Sequence, residues 1–407
     1  AGNPTRGRGA ASALPPPPGG QPVFTVQPTA AIGGDPIAPA VVATVRDAFG
    51  NTATDFVGNV IVDLTVGTGT PGANLLGTRT VATVAGVATF PTINVNRSGS
   101  GYTLTAKATG LPDATSNPFD VAAGPVTQLV FTAQPVTSTT GAILPPVQIA
   151  AQDSLGNTVP GFTGDVSLTI GTNPGGGTLA GTTTVTAVAG VATFSTLSID
   201  KSGIGYRLAA ASGSLTRTSA AFSIISGAAT QLSVTVQPVT TTAGGVITPA
   251  VRVTALDAFG NIATSFTGMV TMAIGTNSGG GTLSGTTAVA AVSGVAVFST
   301  LSIDKAGSGY TLSATAGGLT AGTSATFDIT PAPASLLVFT VQPTAAIAGD
   351  LISPAVVVTA RDAFGNTAPD FVGNVIVDLT VGTGTPGANL LGTRTVGAVG
   401  GIATFPT

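Results

Sequence analysis

A period near 105 residues constrains this chain more than any other feature of its sequence. The dipeptide Gln-Pro begins at Gln27, Gln134, Gln237 and Gln342, at spacings of 107, 103 and 105. The pattern Asp-x-x-Gly-Asn begins at Asp47, Asp153, Asp257 and Asp362, at spacings of 106, 104 and 105. A third landmark, Gly-x-Gly-Tyr, places Tyr102, Tyr206 and Tyr310, the only three tyrosines. Solenoid repeats run to about 20–50 residues. A period twice as long fits one complete small domain per copy. The sequence therefore divides into a Gly/Pro-rich tail (1–21), three modules (22–124, 125–227 and 228–332) and a fourth, incomplete one (333–407).

Composition selects the fold class. Only 7% of residues are charged, against roughly 25% in an ordinary soluble protein. All 16 acidic residues are Asp, so the long charged side chains that fill helix surfaces are scarce. Val, Thr, Ile and Phe recur in short runs separated by Gly and Pro, the pattern of strands and turns. In the first module the runs 23–26, 40–46, 60–66, 80–84, 87–90, 102–106 and 119–121 read as strands. Seven strands in about 100 residues, with turn signals every 8–12, predict two antiparallel sheets packed face to face. No uninterrupted apolar run approaches the 18 or so residues of a membrane-spanning helix.

The same composition excludes much chemistry. His, Cys and Trp are absent. A Ser-His-Asp triad, a thiol nucleophile, a zinc site of the usual ligands and a disulfide are all excluded. A net charge of −3 provides no footprint for nucleic acid. The aspartates recur at equivalent places in successive copies, which argues for structure over paired-carboxylate catalysis. The expectation is a non-enzyme without a cofactor.

Asp-Ala-Phe-Gly-Asn (47–51), Gly-Val-Ala-Thr-Phe (86–90) and Gly-Tyr-Thr-Leu-Thr-Ala (101–106) resemble bacterial immunoglobulin-like repeat domains. The invasin/intimin type of surface-protein stalks is the nearest. The resemblance spans roughly residues 22–407. It implies an all-β chain of tandem immunoglobulin-like sandwiches forming an elongated rod. Each tyrosine then falls where the sandwich turns into its sixth strand, as a tyrosine corner whose hydroxyl bonds backbone upstream. The Cys that antibody domains carry two positions later is here Leu104, Leu208 or Leu312, so the core depends on apolar packing.

Residues 23–92 and 338–407 align without gaps at an offset of 315, with 60 of 70 positions identical. The middle copies share a different central section, so the order is a, b, b, a. By analogy with the first copy, the fourth lacks the strand around the tyrosine and the final strand. Either the chain is a fragment of a longer repeat protein, or a neighbouring chain completes the module. The segment 1–20, with its four consecutive prolines, reads as a spacer or tail that is ordered only when docked. Pro125, Pro331 and Pro333 stiffen two of the short connectors.

Each Asp-x-x-Gly-Asn copy (Asp47, Gly50, Asn51; Asp153, Gly156, Asn157; Asp257, Gly260, Asn261; Asp362, Gly365, Asn366) reads foremost as an Asx turn, with Gly and Asn tolerating left-handed backbone. The competing reading is calcium. Its candidates are Asp47 with Asp55 and Asp63, and Asp362 with Asp370 and Asp378, where two of the copies add carboxylates. Lys201 and Lys305 follow an Asp in Ile-Asp-Lys-x-Gly and raise the idea of an isopeptide crosslink. The first module carries Arg97 there, which cannot form one.

Scarce surface charge removes the usual defence against association, which suits a subunit that packs against its own kind. The reading is an extracellular or cell-surface structural protein, a stalk or polymeric fibre subunit that self-associates. The alternative is an adhesin or carbohydrate-binding array. Its contact loops would be 67–79, 171–181, 275–285 and 382–394, and its partner a glycan or cell-surface ligand.

Overall fold

A computed structural model of the chain describes residues 20–406. The proline-rich segment read as a tail lies outside the described residues through position 19. Among the described residues there is no helix, and so none long and apolar enough to cross a membrane. The chain forms two compact units, one holding modules 1 and 2 up to residue 223 and the other mainly residues 224–407. Segments 139–141 and 200–202 group with the second unit.

Module 1 shows the plan. Its strands are β1 (Gln21–Val26), β2 (Ala31–Ile32), β3 (Val41–Arg46), β4 (Asn59–Leu64), β5 (Leu75–Leu76), β6 (Thr80–Ala82), β7 (Val87–Phe90), β8 (Asn94–Val95), β9 (Gly99–Tyr102), β10 (Leu104–Ala108), β11 (Ala114–Thr115) and β12 (Phe119–Ala122). One sheet runs β1-β3-β7 and the facing one β11-β10-β4-β6, with β2-β12-β9 alongside and a short β5-β8 pair. Alternation decides which face is inward. Val60 and Val62 of β4 are buried while Asn59 and Ile61 are exposed; Leu104, Ala106 and Ala108 of β10 are buried. They meet Phe24, Val41, Ala43, Val45, Ala88 and Phe90 from the other sheet in one core. Each such large side chain contributes about 1.5–3 kcal/mol by leaving water. The seven expected strands all appear. The one read as 102–106 proves to be two, interrupted at Thr103, with β9 pairing to β12 and β10 to β4. In module 2 the same stretch is a single strand, Gly203–Ser212, that serves both partners.

The four two-residue strands of module 1, β2, β5, β8 and β11, were not legible as strands, because two residues set no period. Tight turns were. Val84-Ala85-Gly86-Val87 is a two-residue hairpin in which Ala85 and Gly86 both have positive φ, 49° and 76°. Both central residues of such a turn need left-handed backbone, and alanine is strained there. Module 4 carries Gly400 at this place, with φ 57°. Ala85→Asn is therefore expected to raise the stability of module 1 by about 0.5–1 kcal/mol, and Ala85→Val to lower it by more than that. Urea unfolding of the full chain followed at module 1 reads both.

In module 4, Val356–Arg361 is the central strand, paired with Leu336–Val341 on one side and Ile402–Phe405 on the other, and Asn374–Ile376 pairs with Thr395–Gly397 in a second sheet. Its core is small: Val356, Val358, Val375, Ala398, Ala403 and Phe405. Two of the ten differences from module 1 compensate in volume, Ala43 and Val45 becoming Val358 and Ala360. Phe24 is 5% exposed in module 1 and its counterpart Phe339 41%. The difference is the absent cover of β9, β10 and β12. A cleft of about 620 Å³ opens there, lined by Phe339, Ile352, Val356, Val377, Leu390 and Phe405 among others.

Candidate functional site

The Asp-x-x-Gly-Asn turn is where the structure concentrates its polar interactions. In module 1, Asp47 Oδ1 accepts from the N–H groups of Phe49 and Asn51, each at 2.9 Å, and Oδ2 from Asn51 Nδ2 at 3.3 Å. Gly50 sits at φ 86°. That is an Asx turn with the geometry its residues favour. The Asn51 N–H leads the bonds that hold the Asp47 carboxyl below its ordinary value.

The same turn in module 2 does more. Asp153 accepts from Leu155 N, Asn157 N and Asn157 Nδ2, and its Oδ2 also from the linker N–H of Gly124 at 3.0 Å. Asn157 then reaches back into module 1. Its Nδ2 donates to Asn96 O at 3.2 Å, and its Oδ1 accepts from Ser98 N at 3.0 Å. Between those contacts Leu155 lies on the turn at Gly34, whose φ is 88°. A Cβ on that glycine would stand 2.9 Å from Leu155 Cδ1.

The second unit repeats this residue for residue. Asp362 accepts from Phe364 N, Asn366 N, Asn366 Nδ2 and the linker N–H of Ala332. Asn366 Nδ2 donates to Asp304 O at 2.9 Å, and Ala306 N donates to Asn366 Oδ1 at 3.0 Å. Phe364 covers Gly244, and Lys305 Nζ donates to the Phe364 carbonyl. Lys305 thus meets a main-chain oxygen of the next module's turn. Within the same unit Asp257 accepts from Thr140 Oγ1 at 2.7 Å and from Gly227 N at 3.0 Å, while Asn261 bonds Asp200 O and Ser202 N. The turn is therefore also a joint. The sequence disclosed the turn, because its bonds are local; the joint depends on bonds spanning about 60 residues, and only the recurrence of [Val/Ile]-Asx-[Arg/Lys] one module earlier hinted at them.

Burial sets the electrostatics. Asp153 and Asp362 are 2% and 0% exposed. Burial pushes each carboxyl up, but the N–H donors aimed at it outweigh that and hold it below the ordinary value. For Asp257 burial likewise pushes up, and the bonds from Asn261 N–H, Thr140 hydroxyl and Gly227 N–H bring it down to about 2. A depressed carboxyl stabilises the folded state fully above its unfolded value, 3.8, and loses that contribution as pH falls toward the folded one. Acidification from pH 4 to 2 is therefore expected to cost the second unit about 2 kcal/mol through Asp257 alone. Asp257→Asn should remove that share of the slope in an acid titration of stability and leave the share that Asp362 contributes.

These bonds bear on calcium. The oxygens of Asp47 and Asp362 that a cation would need already accept N–H donors. Asp63 and Asp378 are ion-paired with Arg79 and Arg394. Asp55 and Asp370 lie in the following exposed turn. Among the described residues no three acidic side chains gather where they could hold a metal. The melting temperature is expected to be the same with and without a chelator.

The tyrosines are buried completely. Tyr102 OH donates to Arg97 O and Tyr310 OH to Lys305 O, both at 2.9 Å. Each ring lies against the phenylalanine of the last strand, with centroids 5.9 Å apart for Tyr102–Phe119, 6.0 Å for Tyr206–Phe222 and 6.1 Å for Tyr310–Phe327. The tyrosine hydroxyl therefore pins the loop that the next module's Asn clasps.

Tandem sandwiches of this kind, joined through a shared turn, define a multi-module immunoglobulin-like protein. No family model matches the chain, and no curated protein does. Among solved structures it is similar to the Escherichia coli adhesin FdeC, at 18% identity over 77% of this chain and 96% of that one, with a TM-score of 0.33. It is also similar to invasin, a bacterial integrin-binding protein, at 14% identity over 79% and 62%, TM-score 0.31. A third is domains 4–9 of the surface-layer protein SbsC, at 16% over 80% and 49%, TM-score 0.23.

Proposed function

We propose that the chain is an extracellular, cell-surface structural protein whose modules act as spacers held in register by their joints. The observation that carries this is the joint itself. A carboxylate buried at the connector ties linker, turn and preceding loop together in both units. A joint so bonded resists bending where a flexible linker would not. The contact loops of the adhesin alternative contain no aromatic side chain on which a sugar face could stack. Self-association into a fibre is supported by the sparse charge. Electron microscopy of material stripped from cells tests this reading. Continuous filaments or regular stalks support it, and a compact particle that turns over a substrate or captures glycan would refute it.

A further inference from the structure

The four copies of the joint turn are not equally occupied. Leu155 and Phe364 are 46% and 40% exposed, each resting on a glycine turn; Phe49, at the same place in module 1, is 86% exposed. Asn157 is buried and donates to a carbonyl of the preceding module, whereas Asn51 is exposed and bonds only within its own turn among the described residues. The internal geometry is otherwise shared, down to the two 2.9 Å bonds into Asp47 Oδ1.

We infer that the Asp47–Phe49–Asn51 face of module 1 is a docking site for the distal end of another immunoglobulin-like module. That occupant presents two features. One is a left-handed glycine turn on which Phe49 lies. The other is a loop offering a main-chain carbonyl and, two residues on, an N–H to the Asn51 amide. Both features exist in this chain at Gly34 with Asn96–Ser98, and at Gly244 with Asp304–Ala306, and both are already engaged there. The face fits this partner because three sister faces bind it through the same atoms. This inference stands on the joint's geometry and holds whatever the cellular location of the protein.

The absence of cysteine makes the test direct. Phe49→Cys and Phe364→Cys are made singly in the full chain, and their reaction with a thiol reagent is timed. Phe49→Cys is expected to react about tenfold faster or more, since the occupied joint must open first. Residues 22–127 are then duplicated ahead of Gln21, which supplies a module end and its natural linker. The cysteine at position 49 of the original copy should slow to the rate of Phe364→Cys, and adding Asn51→Ala should restore much of the speed. Unchanged fast labelling in the extended chain would overturn the inference. So would slow labelling in the unextended chain, which would mean that the chain covers this face itself.

Discussion

Asp153→Ala is expected to destabilise the first unit by about 3 kcal/mol, while Asp47→Ala has a small fraction of that effect. The two aspartates occupy the same turn and accept the same local N–H groups. They differ in surroundings. Removing the Asp153 carboxylate leaves the N–H groups of Gly124, Leu155 and Asn157 facing a methyl group in a buried place. Unsatisfied buried donors cost about 1–3 kcal/mol together with the lost charge-assisted bonds. At Asp47 water replaces what is lost. Asp153→Asn separates charge from shape: its amide can still accept, and it should fall between wild type and alanine. Urea denaturation of the full chain, with the m-value compared, measures all three. Equal effects of Asp47→Ala and Asp153→Ala would show that the turn acts locally and that the joint contributes nothing.

The second large effect concerns module 4. A peptide of residues 93–124, added to the full chain, is expected to bind the cleft beside Phe339 and Val377. In module 1 this stretch contributes Tyr102, Leu104, Ala106, Phe119 and Val121 to the core. The surfaces it covers there, Phe24, Val41, Val62 and Phe90, recur as Phe339, Val356, Val377 and Phe405 around the cleft. Its strands also find open backbone, because Asn374–Ile376 pairs on one side only. At a hundredfold excess over Kd the peptide should stabilise module 4 by about 2.7 kcal/mol. Hydrogen exchange at 374–377 reports the same event residue by residue. A peptide carrying Leu104→Asp should do nothing. If the wild-type peptide also leaves exchange unchanged, the cleft is not an acceptor for these strands.

Much of this architecture could be read before any coordinates. The spacing of Gln-Pro, Asp-x-x-Gly-Asn and Tyr set the repeat period in the sequence, because a period of identical landmarks survives any error in strand placement. The run at 60–66 placed β4, while its inward face, Val60 and Val62, came from the structure. Thr103 was not foreseen as a break, since the switch between partner strands is set by Phe119 and Leu64 from distant parts of the chain. Asp47 and Asp362 looked alike in sequence and invited the same two readings, turn or cation. What distinguishes them is whether a neighbour stands on the turn, and no local pattern encodes that. Lys305 raised in sequence only the idea of an isopeptide crosslink; its ammonium lies on the carbonyl of Phe364, a contact no local pattern encodes.

The bonds that Asn157 and Asn366 make across each joint all end on main-chain atoms. The loops they hold read Asn-Arg-Ser in one case and Asp-Lys-Ala in the other, yet the same carbonyl and the same N–H are engaged. Side chains at those positions can thus change while these main-chain links persist, Lys305 adding a further bond of its own to the Phe364 carbonyl, and a repeat unit can be inserted, lost or exchanged for its neighbour with these links re-formed. Unequal recombination in the gene would then lengthen or shorten the array in whole units.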